Sequence, residues 1–389
     1  MKYRPGRHFL QLPGPSNVPE RVLQAMSRAT IDHRGREFPA LTGRVLEGLR
    51  SIFRTSGRVL VYPASGSGGW EAALSNVLSP RERVLMFETG VFALGWVDTA
   101  RRFGLDVTVV PGDWRRGADP AGLEELLTED REHRIRAVAV VHNETSTGAV
   151  TRIAGIRQAI DNARHPALLM VDAISSLGSI DYRHDEWRVD VTIAASQKGL
   201  MLPPGLAFHA VSGRALEASA RATLPRAYFD WARMAVANDD GFFPYTPATN
   251  LLFGLREALA MLEEEGFDNV LRRHARLAEA TRQAVRAWKL ETQCVCAEEH
   301  SNVLTAVVMP EGHDGDRFRA LVDQRFNMSL GAGLGKLKGR IFRIGHVGDF
   351  NELMLAGTLA GVEMGLALSA VPFRRGGVDT ALRWLVANE

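Results

Sequence analysis

From about residue 58 the chain alternates two patterns. One is a short run of Val, Ile, Leu and Ala; the other is a longer stretch with apolar residues at helical spacing. Runs at 58–62, 83–87, 106–110, 136–142, 167–172, from 189 onward and at 206–211 read as strands. They are apolar almost throughout rather than alternating, which predicts strands buried on both faces, as in a parallel sheet. Helices are predicted after a Gly/Ser turn through residue 78, around 92–103, near 123–127 and over 153–163. Such alternation argues for an α/β fold, a large and mostly parallel seven-stranded sheet covered on both sides.

A long helical stretch, 251–265 continuing to about 288, leads away from that sheet. Beyond it, 302–309 and 340–344 read as strands, with helices at 317–325 and from 352 to about 368, a smaller α+β unit. The Pro/Gly-rich stretch Leu12-Pro-Gly-Pro-Ser-Asn-Val-Pro19 predicts an extended arm rather than a packed element. The expected division is an N-terminal arm at 1–20, a large domain at 21–265 and a small C-terminal domain at 266–389.

Composition narrows the function. Across 389 residues, 46% hydrophobic content is ample for a core, and a formal charge of +2 with interspersed signs leaves no footprint for nucleic acid or an anionic membrane. A small-molecule partner is expected. The two cysteines, Cys294 and Cys296, make no disulfide framework and read as core or edge residues of a strand in the small unit. Their C-x-C spacing lacks a nearby histidine pattern, so no metal is expected. The first residues contain no apolar leader core, and no run reaches transmembrane length, which predicts a cytoplasmic enzyme.

Two of the apolar runs end in residues with chemistry. Asp172 closes one, and Lys198 follows the next. Alone, a lysine after a strand is ordinarily a solvated surface residue, and an aspartate there a turn or cap residue. Together, at the carboxyl ends of neighbouring parallel strands, they sit where open α/β sheets bind ligands. The pair fits a Schiff-base lysine and a partner for the pyridinium nitrogen of pyridoxal phosphate (PLP). Ala64-Ser-Gly-Ser-Gly-Gly-Trp-Glu71 lies between a strand and a helix. Read plainly it is a flexible turn; beside Lys198 it is a cradle for one phosphate, since glycines admit backbone N–H groups and the helix dipole favours an anion. The loop at 141–148 could bond a cofactor hydroxyl or simply cap the following helix. Arg343, inside an apolar strand, is either a buried ion-pair member or a fork for a substrate carboxylate.

With these motifs in order, the chain resembles the class V, fold-type I PLP-dependent aminotransferases of the alanine/serine–glyoxylate group. The likeness runs nearly end to end through Leu12-Pro-Gly-Pro-Ser-Asn17, Ser65-Gly-Ser-Gly-Gly-Trp-Glu71, His142-Asn-Glu-Thr-Ser-Thr-Gly148, Val171-Asp-Ala-Ile-Ser-Ser-Leu-Gly178, Ser196-Gln-Lys-Gly199, Leu202-Pro-Pro-Gly205, Pro244-Tyr-Thr-Pro247 and Phe342-Arg-Ile-Gly345. Ile31-Asp-His-Arg34 and the Lys198 motif look most like bacterial serine–glyoxylate aminotransferases. The resemblance implies that Lys198 is the Schiff-base lysine and general base, and that Asp172 pairs with the ring nitrogen. It puts Phe92 and Ile174 on the two ring faces, the former where many relatives use Trp. Thr145 would meet the ring hydroxyl, and Arg343 the substrate carboxylate. Ser65, Gly66, Ser67 and Gln197 would hold the phosphate, with Thr246 reaching in from a second subunit. Relatives often carry Tyr where this chain has Phe243, and Tyr245 is a candidate substitute for that phosphate contact. These contacts imply a homodimer with active sites at the interface.

The implied reaction passes an amino group from a small L-amino acid, first L-serine, to glyoxylate by a ping-pong route. L-Alanine and L-aspartate are alternative donors; aspartate needs a second cation, for which His33, Arg34 and Arg36 are candidates. A cysteine desulfurase needs a mobile reactive cysteine, which Cys294 and Cys296 do not resemble. A catalytically silent relative is disfavoured by the joint presence of Asp172, Lys198 and Arg343.

Overall fold

The computed structural model describes residues 6–389. After a short strand, β1 (Phe9–Gln11), the chain builds seven strands of one sheet: β2 (Arg58–Tyr62), β3 (Arg83–Phe87), β4 (Asp106–Val110), β5 (Ile135–Val141), β6 (Leu168–Asp172), β7 (Val191–Ala195) and β8 (Ala207–Val211). Their order is β2-β8-β7-β6-β5-β3-β4. The central strands are parallel, while β8 runs antiparallel to both β7 and β2.

Alternate side chains leave each strand on opposite faces, and both faces are buried. Val59, Val61, Leu85, Phe87, Val138, Leu169 and Val171 join one core with the helix Phe38–Phe53. Leu60, Tyr62, Val84, Met86, Ala139, Met170 and Ile193 join the other, with the helices Gly66–Val77 and Val91–Arg102. Each large aliphatic side chain so buried stabilises the fold by about 1.5–3 kcal/mol. Helix Phe38–Phe53 follows from its spacing: Leu41, Val45, Leu49 and Ile52 fall on one face, and Pro39 sits in the first turn, where its missing N–H is harmless.

Three further strands, β9 (Leu304–Val308), β10 (Met328–Ala332) and β11 (Ile341–Gly345), form a second sheet in the order β1-β10-β11-β9. Helices Phe267–Ala287, Glu352–Leu368 and Gly377–Ala387 cover it through Leu277, Val285, Leu355, Leu359, Val362 and Leu385.

Three expectations change. The long helix predicted from 251 to 288 is two helices, Thr249–Glu265 and Phe267–Ala287, because Gly266 turns the chain with φ +83°, a conformation glycine adopts without strain. Cys294 and Cys296 are not on a strand. They lie in irregular chain where Thr292 makes an isolated bridge to Val307, and burial pushes the Cys294 thiol up to about 11. The N-terminal arm is extended but packed: β1 pairs in parallel with β10, Phe9 opposite Met328, and Pro13 and Ser16 reach the segment after β7. Residues 1–5 of the arm lie outside the described residues.

Candidate active site

The carboxyl ends of β2, β3, β5, β6 and β7 share one sheet edge, and each delivers candidate residues to it. Asp172 is the last residue of β6, in register with Ile193 of β7, three residues before Ser196-Gln197-Lys198. Asp172 is 4% exposed. Its Oδ1 accepts the Ile174 backbone N–H at 2.8 Å, and its Oδ2 accepts the Trp70 indole N–H at 2.8 Å. Burial raises its pKa to about 7, with Glu144 adding repulsion, while the two N–H donors and Lys198 oppose the shift.

Lys198 is partly buried and its Nζ donates to the Pro13 carbonyl at 2.7 Å. Burial lowers its pKa to about 8; the Arg343 charge pushes the same way and Asp172 against it. The arm is pinned over this lysine by Ser16, whose hydroxyl donates to the Lys198 carbonyl at 2.9 Å. Gly14 has to be glycine here: its φ is +115°, and a Cβ would lie 2.4 Å from Lys198 Nζ.

Arg343, on β11 and 7% exposed, comes from the second sheet. Its Nε donates to the Ala332 carbonyl at 2.7 Å and its Nη1 to the Thr145 carbonyl at 2.6 Å. The two carbonyls fix the guanidinium plane and leave Nη2 for a ligand. Burial lowers its pKa to about 10, and Glu144 restrains that shift. Glu144 itself is buried. It accepts N–H groups from Ala93 at 3.0 Å and Phe92 at 3.5 Å, so it caps the helix carrying Phe92 and ties it to the loop carrying Thr145. Burial raises the Glu144 pKa, against its hydrogen bonds from Ser146, Ala93 and Phe92.

The arrangement fits pyridoxal phosphate. Ser65 precedes the helix Gly66–Val77 with extended backbone, and its hydroxyl does not cap the helix, so the N-terminal N–H groups of Gly66 and Ser67 remain for an anion. Ile174 closes against this turn; a Cβ on Gly66 would meet its Cδ1 at 2.4 Å. The Gln197 Oε1 beside Lys198 is buried without a partner. A phosphate cradle, an apolar wall, a buried carboxylate and an amine of lowered basicity therefore converge.

Arg34 and Thr246 are exposed, and no hydrogen bond or ion pair joins either side chain to this group within the chain. Phe243 packs edge-on against Phe38, with ring centroids 6.0 Å apart. The Tyr245 hydroxyl donates to the Val61 carbonyl at 3.1 Å, so its one donor is already engaged inside its own subunit. Trp70, Glu144 and Pro13 are contacts that sequence reasoning missed. Trp70 and Glu144 stand inside quoted motifs, but no local signal says what they touch. A separate cavity of about 840 Å³ opens at the opposite end of the strands, lined by Arg157, Asp161, Arg188, Asp190 and Arg214. Arg157 and Arg188 pair with Asp161 and Arg214 with Asp190, and none of the expected site residues lines this cavity.

The aminotransferase class-V family matches residues 8–336. A serine–glyoxylate aminotransferase of Methylorubrum extorquens is 49% identical over 99% of this chain and 98% of its own length. An L-aspartate–glyoxylate aminotransferase of Paracoccus denitrificans is 42% identical over 94% and 92%. Among solved structures, a pyridoxamine–pyruvate aminotransferase from Mesorhizobium loti superposes with a TM-score of 0.93 at 26% identity, covering 100% of both chains.

Proposed function

Because the chain belongs to the class-V aminotransferases, which are PLP-dependent enzymes of fold type I, we propose that it transfers the amino group of L-serine to glyoxylate, giving hydroxypyruvate and glycine. The convergence of Asp172, Lys198 and Arg343 on one sheet edge carries this reading, and the full-length likeness to a serine–glyoxylate aminotransferase supports the donor. With Nε and Nη1 engaged by the Ala332 and Thr145 carbonyls, Arg343 keeps Nη2 for the one carboxylate of L-serine.

In this reading Lys198 holds the cofactor, Asp172 faces its ring nitrogen, Phe92 and Ile174 enclose the ring, Thr145 meets its hydroxyl, and Ser65, Gly66, Ser67 and Gln197 hold the phosphate. The bound cofactor supplies an electron sink for the carbanion formed at the substrate Cα. The chain supplies the rest. Arg343 orients the carboxylate, and the Thr145 and Ala332 carbonyls hold Arg343 in plane. Lys198 Nζ, made less basic by burial, takes the Cα proton. The arm at 12–16 covers the lysine and limits water.

Thr246 serves the phosphate of a second subunit's site, which makes the enzyme a homodimer, and Arg34 is kept as a cation for the distal carboxylate of an aspartate donor. We place it in the cytoplasm; no helix among the described residues is long and apolar enough to cross a membrane. The divisions at 20 and 265 belong to the same proposal.

The deciding experiment is the absorbance spectrum of the PLP-loaded protein with L-serine and no oxo acid. Conversion of the cofactor's aldehyde-form band to its amine form, reversed by glyoxylate, supports both half-reactions. Conversion by L-aspartate and not by L-serine overturns the donor. A smaller effect is expected at Arg343. Arg343→Lys keeps a charge but loses the planar fork, leaving the Thr145 and Ala332 carbonyls poorly served. KM for L-serine should rise about ten- to a hundred-fold, with a weaker effect on kcat; an unchanged KM removes Arg343 from carboxylate binding.

A further inference from the structure

Asp172 is held by two donors of different kinds. The Ile174 N–H is local, two residues along the same turn. The Trp70 indole comes from a separate element, at 2.8 Å. Trp70 is four residues after Gly66, one turn inside the helix Gly66–Val77. That helix begins at the proposed phosphate cradle, so one rigid element spans from the phosphate end of the site to the carboxylate at the ring end. Trp70 is itself fixed: it is 6% exposed and stacks on Trp96 with ring centroids 6.2 Å apart and planes 17° apart.

We infer that Trp70 is a positioning residue for Asp172, its indole N–H fixing the carboxylate's orientation and favouring the charged form that meets the cofactor ring. This rests on the functional reading above and adds a residue to it. A buried carboxylate with few donors tends to neutralise. The groups facing Asp172 do not settle its charge by themselves. Glu144 disfavours the carboxylate and Lys198 favours it. His142, whose backbone N–H bonds the Asp172 carbonyl, is held neutral at ordinary pH because burial lowers its pKa to about 3. Tyr182 is also neutral, with its pKa raised by burial. The Trp70 donor therefore favours the charged form without adding a charge of its own. A bulky aromatic at this place could fill the core equally well, so its N–H is the feature to test.

Two measurements do so. In cofactor-free protein labelled at the indole nitrogens, the Trp70 N–H resonance should shift with pH as Asp172 ionises, between about pH 5 and pH 9, and should not titrate in Asp172→Asn. In equilibrium dialysis, Trp70→Phe should weaken pyridoxal phosphate binding by about ten-fold or more, and should change little when added to Asp172→Asn. Additive losses in that cycle, or an indole resonance the same in the wild type and in Asp172→Asn, overturn the inference. If Trp70→Phe does not fold, that comparison of the indole resonance decides alone. If the wild type binds no pyridoxal phosphate, the functional reading fails, while the indole titration still reports whether Trp70 holds Asp172.

Discussion

Replacing Lys198 by alanine is expected to lower kcat/KM for serine–glyoxylate transamination by at least ~10⁴-fold, with the protein folded and still able to bind pyridoxal phosphate non-covalently. In the proposed mechanism two functions fall on one atom: Nζ holds the cofactor, and once free it moves the Cα proton. A general base alone is worth about 10²–10⁴-fold. Folding should survive, because Nζ makes one hydrogen bond, to Pro13, and the lysine is otherwise penalised by burial and by Arg343. The same environment predicts a pH signature in the wild type. An amine attacks an aldehyde in its neutral form, and burial sets the Lys198 pKa at about 8. Cofactor capture by the cofactor-free enzyme should therefore speed up as pH rises toward 8 and level off above it. Stopped-flow absorbance reads that rate. A small primary amine added to Lys198→Ala should restore part of the proton transfer. Wild-type-like turnover by Lys198→Ala would sink the mechanism.

The seven strands of the main sheet were legible because each is a short apolar run, buried on both faces in all but the half-exposed edge strand β4, a pattern that needs no knowledge of partners. The direction of β8 was not. Ala207–Val211 is as apolar as the sheet's parallel strands, and periodicity carries no information about orientation. The strand Met328–Ala332 was missed because Ser329 and Gly331 dilute its β signal; pairing with β1 and β11 supplies what propensity lacks. Gly331 has a reason of its own, since a Cβ there would come within 2.8 Å of Arg343 Cβ.

The candidate site divides along the same line. The sheet edge holding Asp172 and the segment with Lys198 can be read from where apolar runs stop. The Trp70–Asp172 and Pro13–Lys198 contacts join residues 102 and 185 positions apart, and only the folded chain brings them together. Glu144 looks like one more polar loop residue until its carboxylate is seen capping the helix of Phe92. Thr246 marks another limit, because its proposed role needs a second copy of the chain.

Asp172→Asn should separate catalysis from stability, moving them in opposite directions. Asparagine keeps the size and one acceptor for the Trp70 and Ile174 donors but loses the charge that, in the proposed mechanism, holds a proton on the ring nitrogen. The loss of that preorganised electrostatic contact is expected to lower kcat by about 10²–10³-fold or more. In the cofactor-free protein the same carboxylate is a burden. Its folded pKa, about 7, lies above the 3.8 of a free aspartate because burial disfavours its charge. The folded state therefore holds the proton that the unfolded chain has released, and stability falls as pH rises from about 4 to 7, by on the order of 4 kcal/mol. Above the folded pKa the loss is complete and constant. Asp172→Asn has no such proton, so its advantage over the wild type should be small at about pH 4 and full at about pH 8. Urea midpoints of the two cofactor-free proteins at those pH values read the sign directly. A gap independent of pH would mean that Asp172 stays ionised without its cofactor, and that its neighbours stabilise the carboxylate more than burial opposes it.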